Sequence, residues 1–207
     1  MSLKLFHAWG SCSLASLISL EEAGADYELV VMDTTAGDQR TADYLAINPK
    51  GRVPALVTDQ GVLTETPAIL VWIAQTFPAA SLAPTEPWAL AQAQAFNSYL
   101  CSTVHVAHAH KHRGHRWTDD VAAQAAMTAA VPKNEIAIFH LIEDEMFKGP
   151  WVLGEAFSIC DAYLYTLFGW LPGDGVDTGQ FPALQDHSHR VAARSAVRKV
   201  LARWGGL

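Results

Sequence analysis

Strand and helix patterns alternate over the first 77 residues of the chain, and helical patterns alone follow. Two short runs rich in β-forming residues, LKLFH and YELVVMD, flank the segment SLASLISLEEAG, whose apolar residues have helical spacing and which ends at Gly24. A strand, a helix and a strand in this order usually produce a parallel strand pair. RVPALVT and VLT, joined by DQG, predict an antiparallel hairpin, and TPAILVWIAQTF predicts a helix closed by Pro78. We therefore expect an α/β half with a mixed four-stranded sheet and helices on its faces.

A stretch with three prolines separates this half from the rest of the chain. Residues 78–88 are rich in proline and small residues, which is typical of a linker. Beyond it, one helix is expected from about Pro87 to Gly114 and another that is interrupted at Pro132. Ser158 and Asp161 fit a capping box that opens a later apolar helix. The predicted organisation is an α/β domain over 1–77, a linker over 78–88 and an all-helical domain over 89–207.

Charge and composition exclude several classes of function. The chain has 21 acidic and 14 basic residues, a net charge of −7, and no basic block, so nucleic-acid binding is not expected. No apolar run approaches the roughly 18 residues that a membrane span needs, and the N-terminus has no basic-then-apolar leader. Three cysteines without paired spacing are typical of a reducing compartment. We expect a cytoplasmic protein.

Two segments around the predicted hairpin could bind a ligand through the backbone or through charge. Pro54 cannot donate to a sheet and belongs at a strand start. An ordinary trans Val53–Pro54 bond is the simpler interpretation, whereas a cis bond would let Val53 present its backbone to a ligand. In LTETPAIL, Glu65 and Thr66 precede a helix with Pro67 in its first turn. They either cap that helix or bind a ligand with an ammonium and a carboxylate, as in a γ-glutamyl group.

Ser11, Cys12 and Ser13 lie where the first strand leads into the first helix. Free N–H groups and the positive end of the helix dipole favour an anion there, including a thiolate. The alternative is a serine cap beside a small buried cysteine. The residues alone leave both interpretations open.

Three segments together resemble a cytosolic glutathione transferase, and most closely the bacterial beta class. They are LFHAWGSCSLASLISLEEAG, DYLAINPKGRVPALVTDQGVLTETPAILVWIAQTFP and FSICDAYLYTLFGW. The resemblance spans nearly the whole chain, and INPKGRVPAL followed by TETPAI is its most specific part. It implies a thioredoxin-like N-terminal domain, an all-helical C-terminal domain, a homodimer, and glutathione as co-substrate without a metal.

The same resemblance implies roles for individual residues. Cys12 and Ser13 match the beta-class cysteine and the serine that follows it, and His105 matches a histidine that reaches the glutathione site. We expect these three to be catalytic. Val53 matches the residue whose backbone pairs with the cysteinyl portion of glutathione, and the proline after it is cis in the family. Glu65 and Thr66 match the pair that binds the γ-glutamyl group. The full set of implied glutathione-binding residues is Ser11, Arg52, Val53, Pro54, Glu65 and Thr66. Arg52 stands where the family commonly has glutamine.

A histidine cluster follows His105 on the same predicted helix. His105, His108, His112 and His115 are spaced by three, four and three residues, which places them within an arc of about 80°. Such spacing suits two imidazoles that share a metal ion. The alternative, which we favour, is that His105 acts on the glutathione side of the cleft. His108, His112 and His115 would then form a metal-free wall, and their imidazoles would titrate near pKa 6.5.

The leading functional hypothesis is a glutathione transferase that activates the glutathione thiol for attack on a small electrophile. A second hypothesis makes Cys12 the nucleophile of a glutathione-dependent thiol-disulfide oxidoreductase or peroxidase. A third is a glutathione-transferase-like binding protein without turnover.

Overall fold

The computed structural model describes residues 2–204, and its N-terminal part is built on one sheet of four strands. The strands are β1 (Lys4–His7), β2 (Glu28–Val31), β3 (Ala55–Thr58) and β4 (Gly61–Thr64). Their order in the sheet is β2-β1-β3-β4. β1 pairs in parallel with β2 and antiparallel with β3, and β3 pairs antiparallel with β4. The predicted mixed four-stranded sheet is confirmed.

Helices cover both faces of this sheet and then continue alone. The helices that accompany the strands are α1 (Ser13–Glu22), α2 (Ala42–Ile47) and α3 (Thr66–Thr76). The later helices are α4 (Pro87–Tyr99), α5 (His105–Arg113), α6 (Val121–Leu141), α7 (Ile159–Phe168), α8 (Pro182–Ala192) and α9 (Ser195–Trp204). A π-helical segment, Leu100–Val104, joins α4 to α5, so the two form one continuous helical segment. None of the helices in the described part of the chain is long and apolar enough to cross a membrane.

Helix α1 lies at the junction of the sheet and the helical half. Every residue from Ser13 to Leu20 is buried, and α1 contacts α3, α7 and α9. Because α1 is buried on all sides from Ser13 to Leu20, one continuous hydrophobic cluster includes Leu5 and Leu56 of the sheet together with Phe139 and Tyr163 of the helical half. The segment that leads into α1 is therefore held between the two halves.

Two expectations about helices and one about a peptide bond require correction. α6 runs through Pro132 without interruption, since a proline removes one intrahelical hydrogen bond while the flanking turns keep theirs. α2 lies in a stretch that the sequence patterns left as a connection. The Val53–Pro54 bond is cis, as the family resemblance implied, rather than the trans bond favoured by the residues alone.

Candidate active site

A cavity of about 400 Å³ opens between the N-terminal end of α3, the loop before β3 and helix α5. It brings together most of the residues that the sequence singled out, namely Cys12, Arg52, Val53, Pro54, Glu65, Thr66 and His105. These residues come from four separate segments of the chain. Ser11 lines an adjoining cavity instead, and Ser13 lines neither.

The loop before β3 is clamped from α2. The hydroxyl of Tyr44 donates to the Arg52 carbonyl at 2.6 Å, and the side-chain amide of Asn48 donates to the same carbonyl at 2.7 Å. Val53, which precedes the cis bond to Pro54, lines both cavities. Helix α2 therefore positions the backbone of the predicted glutathione-binding loop.

The start of α3 combines a carboxylate with a helix N-terminus. Glu65 occupies the cap position with φ +71°, and its side chain makes no capping hydrogen bond. The Lys50 ammonium instead donates to the Glu65 carboxylate at 2.6 Å and to the Thr64 hydroxyl at 2.8 Å. Thr66 is buried and lines the cavity. The Glu65 side chain therefore does not cap α3, although its carboxylate lies next to the N-terminus of that helix.

Cys12 is the cap residue of α1 and lines both cavities. Its thiol approaches the Val53 carbonyl oxygen at 3.7 Å, and only 8% of the residue is exposed. Burial raises the pKa of the Cys12 thiol, and a hydrogen bond from Thr66 opposes this effect. The helix-dipole argument predicts a lower pKa, but desolvation of the thiolate outweighs that contribution.

Ser13 is turned away from the cavity. Its hydroxyl lies 2.7 Å from Nδ1 of His7 and 2.6 Å from the Ser11 hydroxyl, and it accepts from the Ala8 N–H at 3.1 Å. The residue is fully buried. The hydroxyl that the resemblance made catalytic therefore holds the turn between β1 and α1.

His105 begins α5 and faces both cavities. Its ring packs edge-on against Trp170, with centroids 5.1 Å apart. Burial lowers the pKa of His105 to about 4, and the positive charge of Arg113 contributes in the same direction. The imidazole is therefore neutral above about pH 5.

The other histidines of the cluster do not form a common wall. His108 lines the second cavity, and its Nδ1 lies 2.6 Å from the buried carboxylate of Asp174. His112 and His115 are exposed and line neither cavity. His112 still belongs to α5, whereas His115 lies in the 3₁₀ turn that follows the helix. Within residues 2–204, no group of three or more His, Cys, Asp or Glu side chains is placed to hold a metal ion.

The second cavity, of about 260 Å³, adjoins the first, and the two share six lining residues: Cys12, Arg52, Val53, His105, Arg113 and Arg116. The sequence patterns did not single out several residues that line the two cavities, among them Arg40, Asn48, Cys101, Arg113, Arg116, Tyr163 and Trp170. A signal existed for Arg113, since it follows His105 by eight residues and so lies near the same face of one helix. The others come from separate segments that only the tertiary fold brings together.

Comparison with known proteins agrees with this architecture. Residues 1–75 match the family model described as "Glutathione S-transferase, N-terminal domain". The chain is 31% identical over 208 residues to glutathione S-transferase GstA of Escherichia coli O157:H7, which covers 98% of this chain and 99% of that protein.

Solved structures are similar over the whole chain. A glutathione transferase homologue from Sulfitobacter, crystallised with bound glutathione, has a TM-score of 0.95 and 44% identity over 100% of this chain and 99% of its own. The bacterial beta class glutathione S-transferase of Sphingomonas chungbukensis has a TM-score of 0.85 and 32% identity, with 99% and 100% covered.

Proposed function

Because this chain belongs to the glutathione S-transferase family and is a glutathione transferase, we propose that it binds glutathione in the 400 Å³ cavity and directs the glutathione sulfur at a small electrophile. The observation that carries this proposal is the meeting of Val53, the Glu65–Thr66 pair, Cys12 and His105 in one cavity. Each supplies a contact that a different part of glutathione requires.

The γ-glutamyl end of glutathione carries both an ammonium and a carboxylate. The Glu65 carboxylate is placed to hold the ammonium, while the uncapped N-terminus of α3 and the Thr66 hydroxyl suit the carboxylate. The Lys50 ammonium holds the Glu65 carboxylate in position. Arg52 suits the carboxylate at the glycine end. The Val53 backbone would pair with the cysteinyl portion between them.

The sulfur of glutathione bound in this way would lie near Cys12 and His105. The positive end of the α1 dipole and the arginines around His105 favour the thiolate over the thiol. His105 is neutral and would hydrogen-bond to glutathione as an uncharged imidazole. In the reaction the sulfur forms the new carbon–sulfur bond, the leaving group departs with its electron pair, and the thiol proton passes to solvent. The protein contributes activation of the thiol and positioning of the two substrates.

Organisation and setting follow from the same proposal. We propose a glutathione-binding domain over 1–77, a linker over 78–88, and a helical domain over 89–207 that shapes the second-substrate pocket. Supporting this division, the four strands precede residue 65 and the linker carries Pro78, Pro84 and Pro87. We further propose a cytoplasmic homodimer with no metal. Three free cysteines agree with a reducing compartment.

The oxidoreductase alternative needs Cys12 as a thiolate. Because burial raises the pKa of that thiol, the fraction ionised at neutral pH is small, and this alternative is not favoured. Turnover through the glutathione sulfur does not require Cys12 to ionise.

Glutathione binding tests the proposed function through Glu65. Calorimetry should detect glutathione binding to the wild type, and saturation at about 100 times the dissociation constant should add about 2.7 kcal/mol to the free energy of unfolding. Glu65→Gln keeps the shape of the side chain but loses the charge, so we expect glutathione affinity to fall at least about tenfold. The control Glu155→Gln removes an exposed carboxylate outside both cavities and should change nothing. No heat of binding at millimolar glutathione, with no conjugation of 1-chloro-2,4-dinitrobenzene, would falsify the proposal.

A further inference from the structure

His108 is the one histidine of α5 whose ring pairs with a carboxylate among the described residues. Its Nδ1 lies 2.6 Å from Oδ2 of Asp174, in the turn that follows α7. The Asp174 side chain is only 1% exposed, whereas the His108 side chain is 22% exposed. Because a carboxylate only accepts hydrogen bonds, Nδ1 donates the proton and Nε2 keeps its lone pair. The two residues therefore form a carboxylate–imidazole dyad with a basic nitrogen left for a ligand.

Two further contacts hold this dyad in place. Lys111, three residues after His108 on α5, lies 3.3 Å from the other oxygen of Asp174 and donates to the Gly173 carbonyl. The indole of Trp170 packs against the His108 ring, with centroids 4.3 Å apart and 30° between the planes. A carboxylate on one edge and an aromatic ring on one face thus fix the orientation of the imidazole, which is what a positioned base requires.

His108 reaches the same space as the residues around the proposed sulfur position. It lines the second cavity together with Cys12 and His105. Cys12 and His105 also line the first cavity, where the glutathione sulfur would lie. His105 precedes His108 by about one helical turn, and both rings contact the indole of Trp170. The dyad therefore stands beside the place where the proposed reaction removes a thiol proton.

The two neighbours of that position are poorly suited to take the proton themselves. Burial lowers the pKa of His105 to about 4, and within residues 2–204 no carboxylate pairs with its ring. An imidazole that binds a proton so weakly is a poor base for a thiol at neutral pH. Burial raises the pKa of the Cys12 thiol, so its thiolate is scarce as well. His108 differs from both because a carboxylate stands ready to pair with its imidazolium form.

Opposite charges surround the two partners of such a proton transfer. Asp174 would stabilise an imidazolium at His108, whereas the arginines of the second cavity would stabilise a thiolate there. Glu135 of α6 interacts with Asp174 but is protonated at neutral pH, since burial raises its pKa to about 8. The remaining charged or titratable groups around the ring are His105, Lys111 and Arg113 on α5, and Arg40, Arg52 and Arg116 across the cavity.

We propose that His108 is the general base of the transferase reaction and that Asp174 is its positioning residue. The inference rests on the proposed function, because it names the group that activates the glutathione bound there. Nε2 takes the thiol proton, directly or through one water, and the S–H bonding electrons stay on the sulfur. The thiolate then forms the carbon–sulfur bond, the leaving group departs with its bonding electrons, and the imidazolium gives the proton to solvent.

Ultraviolet absorbance of the bound thiolate tests the base without depending on turnover. Protein saturated with glutathione is compared across the pH range with protein saturated with S-methylglutathione, which has no thiol proton. His108→Gln should need a pH about two units higher than the wild type for the same thiolate absorbance, which corresponds to a hundredfold change in the ionisation equilibrium. Its affinity for S-methylglutathione should be unchanged. The control His112→Gln removes an exposed imidazole of the same helix outside both cavities and should titrate as the wild type does.

The pH dependence of turnover separates a base from a residue that only shapes the site. In single-turnover conjugation of 1-chloro-2,4-dinitrobenzene, His108→Gln should be about a hundredfold slower than the wild type at pH 6. It should approach the wild-type rate by about pH 9, where the bound thiol ionises without a base. Asp174→Asn keeps the shape of the side chain but loses its charge, and it should be about tenfold slower. Because Asp174 acts through His108, the double variant should be no slower than His108→Gln alone.

The outcomes separate this inference from the proposed function. If the wild type binds S-methylglutathione but His108→Gln shows the wild-type thiolate titration, the inference is overturned and the function stands. A rate deficit of His108→Gln that is the same at every pH also overturns it. Additive losses in the double variant overturn the role of Asp174. His108→Gln alone decides the base, so that test does not depend on the folding of Asp174→Asn. No binding of S-methylglutathione to the wild type overturns both the inference and the function.

Discussion

Two serines on the first turns of α1 are equally buried but have opposite surroundings. Ser13 bonds with His7, Ala8 and Ser11, as described above. The Ser16 hydroxyl is also buried, and it has no hydrogen-bond partner within residues 2–204. The pair therefore separates the effect of losing a hydroxyl from the effect of losing its partners.

Ser13→Ala should destabilise the fold by about 1–3 kcal/mol, because the buried Ala8 N–H and His7 Nδ1 lose their partner. Ser16→Ala should be neutral, or stabilising by about 0.5 kcal/mol, since it removes an unpaired hydroxyl and improves helix propensity. Denaturant unfolding measures both. Conjugation activity per folded molecule should stay near the wild-type value in Ser13→Ala. A tenfold loss of kcat with unchanged stability would restore the catalytic role that the family resemblance gave this serine.

The sequence predicts which residues surround the site better than it predicts their protonation. The helix-start position of Cys12 is visible in the pattern, but its near-complete burial depends on Val53 and Thr66 from distant segments. The pKa of His105 depends in the same way on Arg113 and on packing against Trp170. Desolvation is a property of the assembled fold, and no local motif specifies it.

At the scale of elements, the start of α7 is fixed by one buried carboxylate. Asp161 accepts from the Ser158 N–H at 2.7 Å, which completes the predicted capping box. Its other oxygen accepts from the Val152 N–H at 2.7 Å and lies 2.9 Å from Nε2 of His187 in α8. The cap therefore also joins α7 to the preceding loop and to α8, which the SICD motif alone did not predict.

Asp161→Ala should cost more than an ordinary cap substitution, about 3–5 kcal/mol, because it leaves buried donors of three residues unpaired. Asp120→Ala provides a matched control, since Asp120 caps α6 through the Ala122 and Ala123 N–H groups but is exposed. That change should cost about 1 kcal/mol. Thermal and denaturant unfolding of both variants test the difference. Equal losses would mean that the links to Val152 and His187 contribute nothing.

Helices and strands were predictable from the sequence where an apolar pattern repeats over many residues. They were not predictable where a single residue, such as a proline, or a very short segment decided the assignment. The four strands and the helical half follow from periodicity. Pro132 predicted a break, yet the turns of α6 on either side keep their own hydrogen bonds and the helix continues. The six-residue α2 was missed because its length allows less than two turns of apolar repeat.

At the scale of the whole molecule, the family-specific segments predicted the binding site and the tertiary fold supplied the rest. Val53, Glu65 and Thr66 lie in one continuous motif, so their proximity was expected. Arg40 and Arg113 reach the same cavity from opposite halves of the chain. No sequence spacing relates residues brought together only by packing of α5 against the sheet domain.

The helical half also buries a carboxylate that the proposed chemistry does not use. Glu135 of α6 is 1% exposed, and neither of its oxygens has a hydrogen-bond partner within residues 2–204. Burial raises the pKa of Glu135 to about 8, and the charge of Asp174 adds to the rise. The folded protein therefore keeps Glu135 protonated at a pH where the unfolded chain ionises it.

This difference makes the stability of the whole molecule depend on pH in a defined window. Because the pKa of Glu135 is about 8 when folded and near the ordinary 4.5 when unfolded, its stabilising contribution is complete below pH 4.5 and is lost as the pH rises to about 8. Glu135→Gln cannot ionise at this position. The difference between its free energy of unfolding and that of the wild type should therefore increase by up to about 1.4 kcal/mol per pH unit between pH 4.5 and 8, and should stay constant above pH 8. Urea unfolding of both proteins at pH 5, 6, 7 and 8 measures the difference, in which all other titrating groups cancel. Parallel curves would show that Glu135 is already ionised in the folded state and would contradict the effect assigned to its burial.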